Sequence, residues 1–285
     1  MSESRKKITE SWGKEISASA ASLSILPFWY PFFERSLYQR AQILQSKSPG
    51  DLSHSNFFFR KRNYYRGITA NIFTMQPLIP AAEWMLNTLL TKIQTINKRD
   101  PNLAEKFSAG FITGSATAIF ANPYEATNIA AQKYCESPIK AFMRVLNESG
   151  PKGFYTGVLP MAIRNGAFVS SLLVTSPELK IMLDKSIPGS GPSHHLATTV
   201  LGAAIPATLF TCMVVPFDLA AVMRQSDPSE EAFHSSFQAM KKAYNKHGIA
   251  ALKAGTLLRL LACNIEMIGF NLLNNTYNKA LCNKS

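Results

Sequence analysis

Apolar residues in this chain are gathered into long segments that contain no charged side chain. Residues 16–33 and 107–124 each form a run of 18 such positions, and residues 186–217 form a run of 32. A helix needs roughly 18–20 mostly apolar residues to cross the hydrocarbon core of a bilayer. The three segments are therefore predicted to be transmembrane helices.

Three further apolar segments are less uniform. They are residues 67–82, residues 153–177, which contain Arg164, and residues 256–278, which contain Glu266. A charged side chain inside a bilayer is costly unless it faces a bundle interior or a water-filled cavity. The pattern thus predicts an all-α membrane protein with six transmembrane helices, in which the charge-bearing helices line a central cavity.

Small residues recur in the charge-free segments, for instance at residues 17–22 and 110–114. In lipid, small residues allow helix backbones to approach each other closely. A soluble helical protein with buried helices is the alternative, but these small-residue seams favour the membrane interpretation.

The prolines near the ends of the charge-free segments reveal an internal repeat. Pro31, Pro123 and Pro216 are separated by 92 and 93 residues. Small residues stand nine and thirteen positions before each proline, and a glycine follows a polar loop after it. The small residues are Ala18, Ser22, Gly110, Gly114, Ala203 and Ala207, and the glycines are Gly67, Gly157 and Gly255. A fixed period of this kind marks tandem structural units.

The period predicts three repeats, residues 1–100, 101–190 and 191–285, within one integral domain. Gln132 and Gln225 stand nine residues after the second and third prolines. A proline inside a helix removes a backbone hydrogen bond and bends the helix, so each repeat is predicted to begin with a kinked helix. The alternative is that the prolines simply end the helices.

Composition and charge narrow the classes of function. The chain has 30 Lys+Arg against 18 Asp+Glu, a net charge of +12, although only 17% of its residues are charged. Basic residues spread over several loops suit an anionic lipid surface, and we expect no nucleic-acid partner because no motif for one is present. The sequence has no phosphate loop, no catalytic triad spacing and no zinc-like cysteine spacing beside His194 and His195. We therefore expect no enzyme, no cofactor and no metal site.

The repeated motif resembles the signature of the mitochondrial carrier family, P-x-[DE]-x-x-[KR] followed by a loop and an aromatic-[KR]-Gly. Its acidic position is held by Glu125 and Asp218, whereas the first repeat has Phe33 there, with Glu34 beside it. The resemblance implies six tilted helices around a central cavity, short surface helices and both termini on one side. It also implies a monomer in the mitochondrial inner membrane that transports a small molecule.

Several positions depart from the family pattern. The basic residues five positions after the prolines are replaced by Ser36, Asn128 and Ala221. In the family these acids and bases close a salt-bridge ring beneath the cavity, so Glu125 and Asp218 are expected to find other donors or face water. By resemblance this ring is the gate that closes the cavity on one side of the membrane. A gate without its basic residues indicates uniport or loosely coupled exchange instead of strict antiport.

Substrate contacts in the family lie seven and eight residues after the repeat glycine. In this sequence the resemblance places Thr74, Met75, Arg164, Asn165, Ala262 and Cys263 at those contacts. Arg164 is the charged member, which predicts an anionic substrate, and Asn71 and Glu266 offer further polar contacts. The alternative is that Arg164 is paired to an acid such as Glu266 and serves the structure only.

The identity of the anion is less specified. An arginine followed by an amide resembles carriers of keto acids and other carboxylates. Phe168 lies on the same helical face as Arg164, where an aromatic ring can stack on a nucleotide base, or can simply pack. Loss of the basic gate residues resembles the sequences of carrier-like proteins that intracellular bacteria deliver into host cells to move nucleotides. For this reason we predict a nucleotide such as ATP.

Lipid contacts are expected where the even-numbered helices of the repeats begin. Free N–H groups at a helix start favour anions, and Gly67, Gly157 and Gly255 stand at these starts, with Arg66 beside the first. By resemblance the lipid is cardiolipin, and the alternative is that the glycines only turn the chain.

Overall fold

A computed structural model describes residues 3–41, 68–134, 136–227, 235–249, 251 and 255–282. These residues form helices joined by short turns, and no β-strand occurs among them. The predicted all-α class is confirmed.

Three long helices correspond to the charge-free segments, and each continues nine or ten residues beyond its repeat proline. They are α1 (Glu3–Ala41), α4 (Leu103–Lys133) and α8 (Pro192–Gln225). Pro31, Pro123 and Pro216 lie inside these helices, so the alternative that they end the helices is wrong. The residues that follow the prolines, including Glu34, Glu125 and Asp218, are thereby held on helical turns.

The even-numbered helices of the first two repeats are interrupted where prolines remove backbone donors. In the first repeat α2 (Ile68–Thr74) is separated from α3 (Leu78–Asn97) by a turn that ends at Pro77. In the second, α6 (Val158–Ser170) is joined to α7 (Ser176–Ser186) by a π-helical turn, Ser171–Thr175, shortly before Pro177. The last helix, α10 (Thr256–Cys282), is continuous.

Short helices connect the long ones at the end of the molecule where the repeat glycines lie. They are α5 (Pro138–Ser149), which is followed by a 3₁₀ turn at Pro151–Tyr155, and α9 (Ser236–His247). Ser137 and Ser235 cap their N-termini, as hydroxyl side chains commonly do. Ahead of α5, Glu136 accepts hydrogen bonds from Arg144, which lower the pKa of the Glu136 carboxyl. The α5 and α9 helices match the short surface helices expected in repeats two and three.

The helices close into a ring through pairwise contacts. Around the ring α1 packs on α3, α3 on α4, α4 on α6, α6 and α7 on α8, α8 on α10, and α10 on α1. Helices that are distant in sequence therefore meet as neighbours, and the ring encloses a central space.

Close approach of these helices depends on the small residues that recur with the repeat. All six of them, from Ala18 and Ser22 to Ala203 and Ala207, are buried. At Gly114 an added Cβ would lie 2.3 Å from the Asn165 carbonyl oxygen, and at Gly166 it would lie 2.6 Å from Ser115 Oγ. The contact between α4 and α6 thus requires glycine on both sides.

Four segments among the described residues are long and apolar enough to cross a membrane. They are Ile16–Arg40, Pro151–Ser186, Pro192–Gln225 and Thr256–Asn278. The other two predicted transmembrane helices, α4 and the first even-numbered helix, are present but are less apolar than these four. The helix α4 is rich in Ala, Gly, Ser and Thr, which lowers its hydropathy, and the first even-numbered helix is broken at Pro77.

Candidate functional site

A cavity of about 120 Å³ lies inside the helical ring. Its walls are formed by α1, α2, α3, α4, α6 and α10. Aromatic and aliphatic side chains, among them Trp29 and Phe168, form much of its surface. Its polar groups gather around Arg164, Arg259, Glu125 and Glu266. An enclosed apolar space with a few convergent polar groups is the usual form of a small-molecule site.

Arg164 is buried at this cavity and its guanidinium is fully engaged. Its Nη1 and Nη2 donate to the two carboxylate oxygens of Glu125 at 2.6 Å each, and Nη1 also donates to Asp218 Oδ1 at 3.0 Å. The side-chain oxygen of Asn165 accepts from Arg164 Nε at 3.2 Å. This bidentate arrangement is the geometry in which a guanidinium holds a carboxylate most strongly.

Asp218 joins three arginines from three different helices. Its Oδ1 accepts from Arg164 of α6, and its Oδ2 accepts from Arg40 of α1 and lies 3.3 Å from Arg259 Nε of α10. The Asp218 side chain is 1% exposed, so the ionic contacts are little screened by solvent. One carboxylate therefore ties α8 to three of its neighbours.

Phe33 contributes to the same network although it stands where the family motif has an acid. Its ring centroid lies 4.6 Å from the Arg259 guanidinium carbon, within the range of a cation–π interaction. The aromatic face thus provides part of the electrostatic partner that a carboxylate would have supplied.

Glu34 takes up the acidic role of the first repeat by turning toward α4. Its carboxylate accepts from Asn128 Nδ2 at 2.9 Å and from Gln132 Nε2 at 2.5 Å. A neutral amide pair has replaced the ion pair that a basic residue at position 128 would make.

Of the two outcomes expected for Glu125 and Asp218, other donors or water, these contacts show the first. The cations come from Arg40, Arg164 and Arg259 and not from the motif positions. Arg40 lies nine residues after Pro31, the register that Gln132 and Gln225 hold in the other repeats, and this spacing is the signal by which it could have been found.

The motif positions themselves have become packing contacts. Ser36 Oγ donates to the Gly255 carbonyl at 2.9 Å, and an added Cβ at Gly255 would lie 2.8 Å from the Ser36 carbonyl oxygen. At Gly157 an added Cβ would lie 3.0 Å from the Ala221 carbonyl oxygen. The φ angle is positive at both glycines, 77° at Gly157 and 68° at Gly255. The backbone conformation and the available space therefore both require glycine at these positions.

The third glycine position, Gly67, and its neighbour Arg66 lie outside the described residues. Gly157 and Gly255 stand at the starts of α6 and α10, and lipid binding at these starts stays a prediction.

Six of the nine predicted substrate contacts line the cavity. They are Asn71, Met75, Arg164, Asn165, Phe168 and Glu266. Arg164 is paired to an acid, as the alternative in the sequence analysis had it, but the acids are Glu125 and Asp218 and not Glu266. Among the described residues no hydrogen bond or ion pair joins Arg164 to Glu266.

The other three predicted contacts lie elsewhere. Thr74 is exposed at the end of α2 because the helix breaks immediately after it. Ala262 is buried in the cluster that contains Trp29 and Tyr30, and Cys263 lines a smaller space of about 20 Å³ on the other side of Arg164 and Arg259. The other side chains that line the main cavity include Gln76 and Arg259.

Gln225 has a structural role among the signature residues. Its Nε2 donates to Asn122 Oδ1 at 2.9 Å, and Asn122 Nδ2 in turn donates to the Thr156 carbonyl at 3.2 Å. These contacts fix α8 against α4 and the turn before α6.

Comparison with known proteins shows which family part of the chain resembles. Residues 99–186 match the model described as "Mitochondrial carrier protein", and this segment contains Glu125, Arg164 and Phe168. This part of the chain is thus similar to the mitochondrial carrier family, the family that the repeated motif resembles.

Relatives of this chain are recognisable at low identity. It is 26% identical over 190 residues to mitochondrial uncoupling protein 3 of Arabidopsis thaliana, an alignment that covers 60% of this chain and 58% of the relative. It is 27% identical over 167 residues to mitochondrial tricarboxylate transporter 1 of Mycosarcoma maydis, covering 55% of each chain. Tricarboxylate transporter ALT9 of Alternaria alternata is 24% identical over 136 residues, or 48% of this chain and 60% of the relative. The chain thus spans less than two thirds of these relatives' lengths.

Proposed function

We propose that this protein transports an anionic metabolite across a membrane, with Arg164 as the anchor for the anion. The observation that carries the proposal is the bidentate hydrogen bonding of Arg164 to Glu125 at the cavity. A guanidinium in this position is already oriented to hold two oxygens of a carboxylate or phosphate.

Glu125 acts in this proposal as an internal substitute for the substrate. Removing one partner of a buried ion pair costs about 3–5 kcal/mol, so Arg164 does not readily leave Glu125 for water. A substrate oxyanion that binds Arg164 from the cavity compensates for the lost carboxylate. Anion binding is thereby coupled to release of the tie between α4 and α6. This coupling favours exchange of substrates over the uniport that the motif positions alone indicated.

Asp218 extends the argument to the charge of the substrate. Release of Asp218 would leave Arg40 and Arg259 without this carboxylate, in addition to Arg164. A substrate with two or more anionic groups can compensate more than one guanidinium at once. A multivalent anion is therefore the preferred class.

A nucleotide such as ATP is the first candidate within this class. Its phosphates would bind Arg164 and its base would stack on Phe168, which lines the cavity four residues further along α6. Base–aromatic stacking contributes about 1–3 kcal/mol per base. The departures from the family motif also resemble those of nucleotide carriers that intracellular bacteria deliver into host cells, and this resemblance supports the nucleotide.

A tricarboxylate is the second candidate, because two of the relatives carry that substrate in their names. Three carboxylates would match the three arginines around Asp218 in number. Transport of other carboxylates or keto acids is a variant of this candidate. A carrier fold that only binds partners and transports nothing is the remaining alternative.

For location we propose the mitochondrial inner membrane, in keeping with the names of the relatives. We propose further that the protein works as a monomer and binds cardiolipin at the starts of α6 and α10, where helix N-termini favour phosphate groups.

Reconstitution into liposomes tests the proposal. We expect purified protein to take up labelled ATP, and Arg164→Ala to abolish uptake because the anchor is lost. Arg164→Lys should retain a reduced rate, since lysine keeps the charge but not the bidentate geometry. Arg99→Ala is the control, because Arg99 is half exposed in the turn between α3 and α4.

Three outcomes separate the alternatives. Uptake of citrate but not ATP would replace the nucleotide with the tricarboxylate and leave the carrier proposal in place. Transport by Arg164→Ala at the parental rate would refute the anchor. If the folded parent protein takes up neither ATP, citrate nor 2-oxoglutarate, the alternative of a carrier fold that binds partners without transport would be favoured.

A further inference from the structure

A tight turn between α7 and α8 folds the start of α8 back toward the end of α7. The turn contains Gly189 and Gly191, and an added Cβ at Gly189 would lie 2.8 Å from His194 Cδ2. The His194 ring therefore packs directly on the glycine backbone, and its Nε2 lies 3.0 Å from the Ile187 carbonyl oxygen. The turn holds this imidazole in a fixed orientation.

Three metal-ligating side chains meet at this turn. Asp184 near the end of α7 and His194 and His195 at the start of α8 each direct one ligand atom into a group whose members lie within 4.8 Å of one another. The two imidazole rings are nearly perpendicular, at 74°, so two adjacent residues present their nitrogens from different directions.

Asp184 and His194 each have one side-chain atom without a hydrogen-bond partner among the described residues. Asp184 Oδ1 and His194 Nδ1 are both buried and unpaired. The other carboxylate oxygen of Asp184 accepts from Lys180 at 2.6 Å, and the nearby Thr198 hydroxyl donates to the backbone carbonyls of His194 and His195. Buried polar atoms are almost always satisfied, so the two unpaired atoms call for a ligand.

The hydrogen bond at Nε2 determines which nitrogen of His194 can take a ligand. A carbonyl oxygen only accepts, so His194 Nε2 carries a proton and Nδ1 is the nitrogen that can present a lone pair. Nδ1 and the Asp184 carboxylate oxygen are then both acceptors, and a cation bound between the three side chains would satisfy both. A backbone carbonyl on the far nitrogen is also the usual outer contact of a metal-bound histidine.

We propose that Asp184, His194 and His195 form a binding site for a divalent transition-metal ion of the zinc class. Two imidazoles and one carboxylate are ligands that Zn²⁺ prefers, and three protein ligands leave the fourth position to water. Ligand atoms around tetrahedral zinc are roughly 3.4 Å apart, so small side-chain movements complete the site. The sequence alone gave no zinc spacing, because the ligands meet only through the turn.

The ion would connect the second and third predicted repeats at the turn between α7 and α8. Asp184 belongs to α7 and both histidines to α8, so bound metal would cross-link two helices that already pack on each other. The site is separate from the arginine network, and its existence does not depend on the proposed transport function.

Metal binding to the purified full-length protein tests the site, after removal of any polyhistidine tag and treatment with a chelator. Competition with a fluorescent zinc indicator should give one tight Zn²⁺ per chain, and Mg²⁺ should not displace it because the ligand set is rich in nitrogen. Asp184→Asn and His195→Ala should each weaken the affinity by at least about tenfold, the smallest loss typical even of outer contacts. Glu178→Gln, which removes an acid from the same helix, is the control and should bind as the parent does.

Thermal unfolding provides a second measurement, since an ion that binds the folded state raises its melting temperature. Zn²⁺ should raise the melting temperature of the parent and of Glu178→Gln but not that of His195→Ala, whose side chain is exposed and whose loss leaves the fold intact. Equal Zn²⁺ affinity in the parent, Asp184→Asn and His195→Ala would overturn the proposal, as would absence of saturable binding to the parent.

Discussion

At the scale of single residues, the main feature is how an unusual set of charges is accommodated inside the bundle. Arg40, Arg164 and Arg259 are matched by Glu125, Asp218 and the face of the Phe33 ring. Each arginine replaces a basic residue that the family motif would place elsewhere. Direct contacts among these side chains offset the cost of burying the charges.

Mutation of the pair Arg164–Glu125 should show this coupling. We expect Arg164→Met and Glu125→Leu each to lower the melting temperature strongly, because each leaves a buried charge uncompensated at a cost of about 3–5 kcal/mol. The double variant should be more stable than the sum of the single effects allows, which a double-mutant cycle measures.

Thermal unfolding of the detergent-solubilised protein is the appropriate measurement for that cycle. Arg99→Met is the matched control, since the exposed Arg99–Glu105 pair should contribute about 0–1 kcal/mol. Additive effects in the Arg164–Glu125 cycle would contradict the assignment of a direct buried pair.

At the scale of helices, small residues and prolines decide where the backbone can approach and where it breaks. Gly114 and Gly166 bring α4 and α6 together, and the bidentate pair Arg164–Glu125 spans the same two helices. The turn ending at Pro77 directs Met75 and Gln76 to the cavity and leaves Thr74 exposed. Helix packing thus sets the geometry of the site.

A larger side chain at the contact between α4 and α6 should therefore lower both the stability of the protein and its transport rate. We expect Gly114→Val to destabilise the protein by about 1–3 kcal/mol or more, because an added Cβ already meets the Asn165 carbonyl at 2.3 Å. The melting temperature and the yield of folded protein measure the effect. Ala104→Val places the same side chain at an exposed position of α4, and a similar loss there would show that valine itself, and not the seam, is responsible.

At the scale of the whole molecule, the helices form a closed ring whose ionic centre is Asp218. Arg40, Arg164 and Arg259 reach it from α1, α6 and α10, one helix from each of the three predicted repeats. The contacts of Gly157 with Ala221 and of Gly255 with Ser36 follow the same order around the ring. This end of the cavity is therefore bridged between repeats.

Loss of the central carboxylate should alter the coupling of transport. We expect Asp218→Asn to increase efflux of preloaded substrate from liposomes that lack external counter-substrate, relative to exchange, because the arginines no longer share an ionic partner. Asp100→Asn, in the turn between α3 and α4, is the control. An unchanged ratio of efflux to exchange in Asp218→Asn would show that this network does not govern coupling.

Much of the molecule could be predicted from the sequence because the signals are local or periodic. Charge-free runs predicted the long helices, the proline period predicted equivalent positions, and the lone charge in residues 153–177 led to Arg164. The recurring small residues, such as Gly110 and Ala203, proved to be buried at helix contacts. A helix period and a bilayer length are properties of a segment, so they can be read without knowing its neighbours.

The partners of those residues were decided by the tertiary structure. Arg164 is 39 residues from Glu125 and 54 from Asp218 in the sequence, and its alternative partner, Glu266, was equally plausible by type. The choice depends on the rotation of each helix about its axis and on the backbone approach that glycines permit. For the same reason the pairing of Arg40 with Asp218 arises only when distant helices pack together, and Asp184 meets His194 only through the turn between α7 and α8.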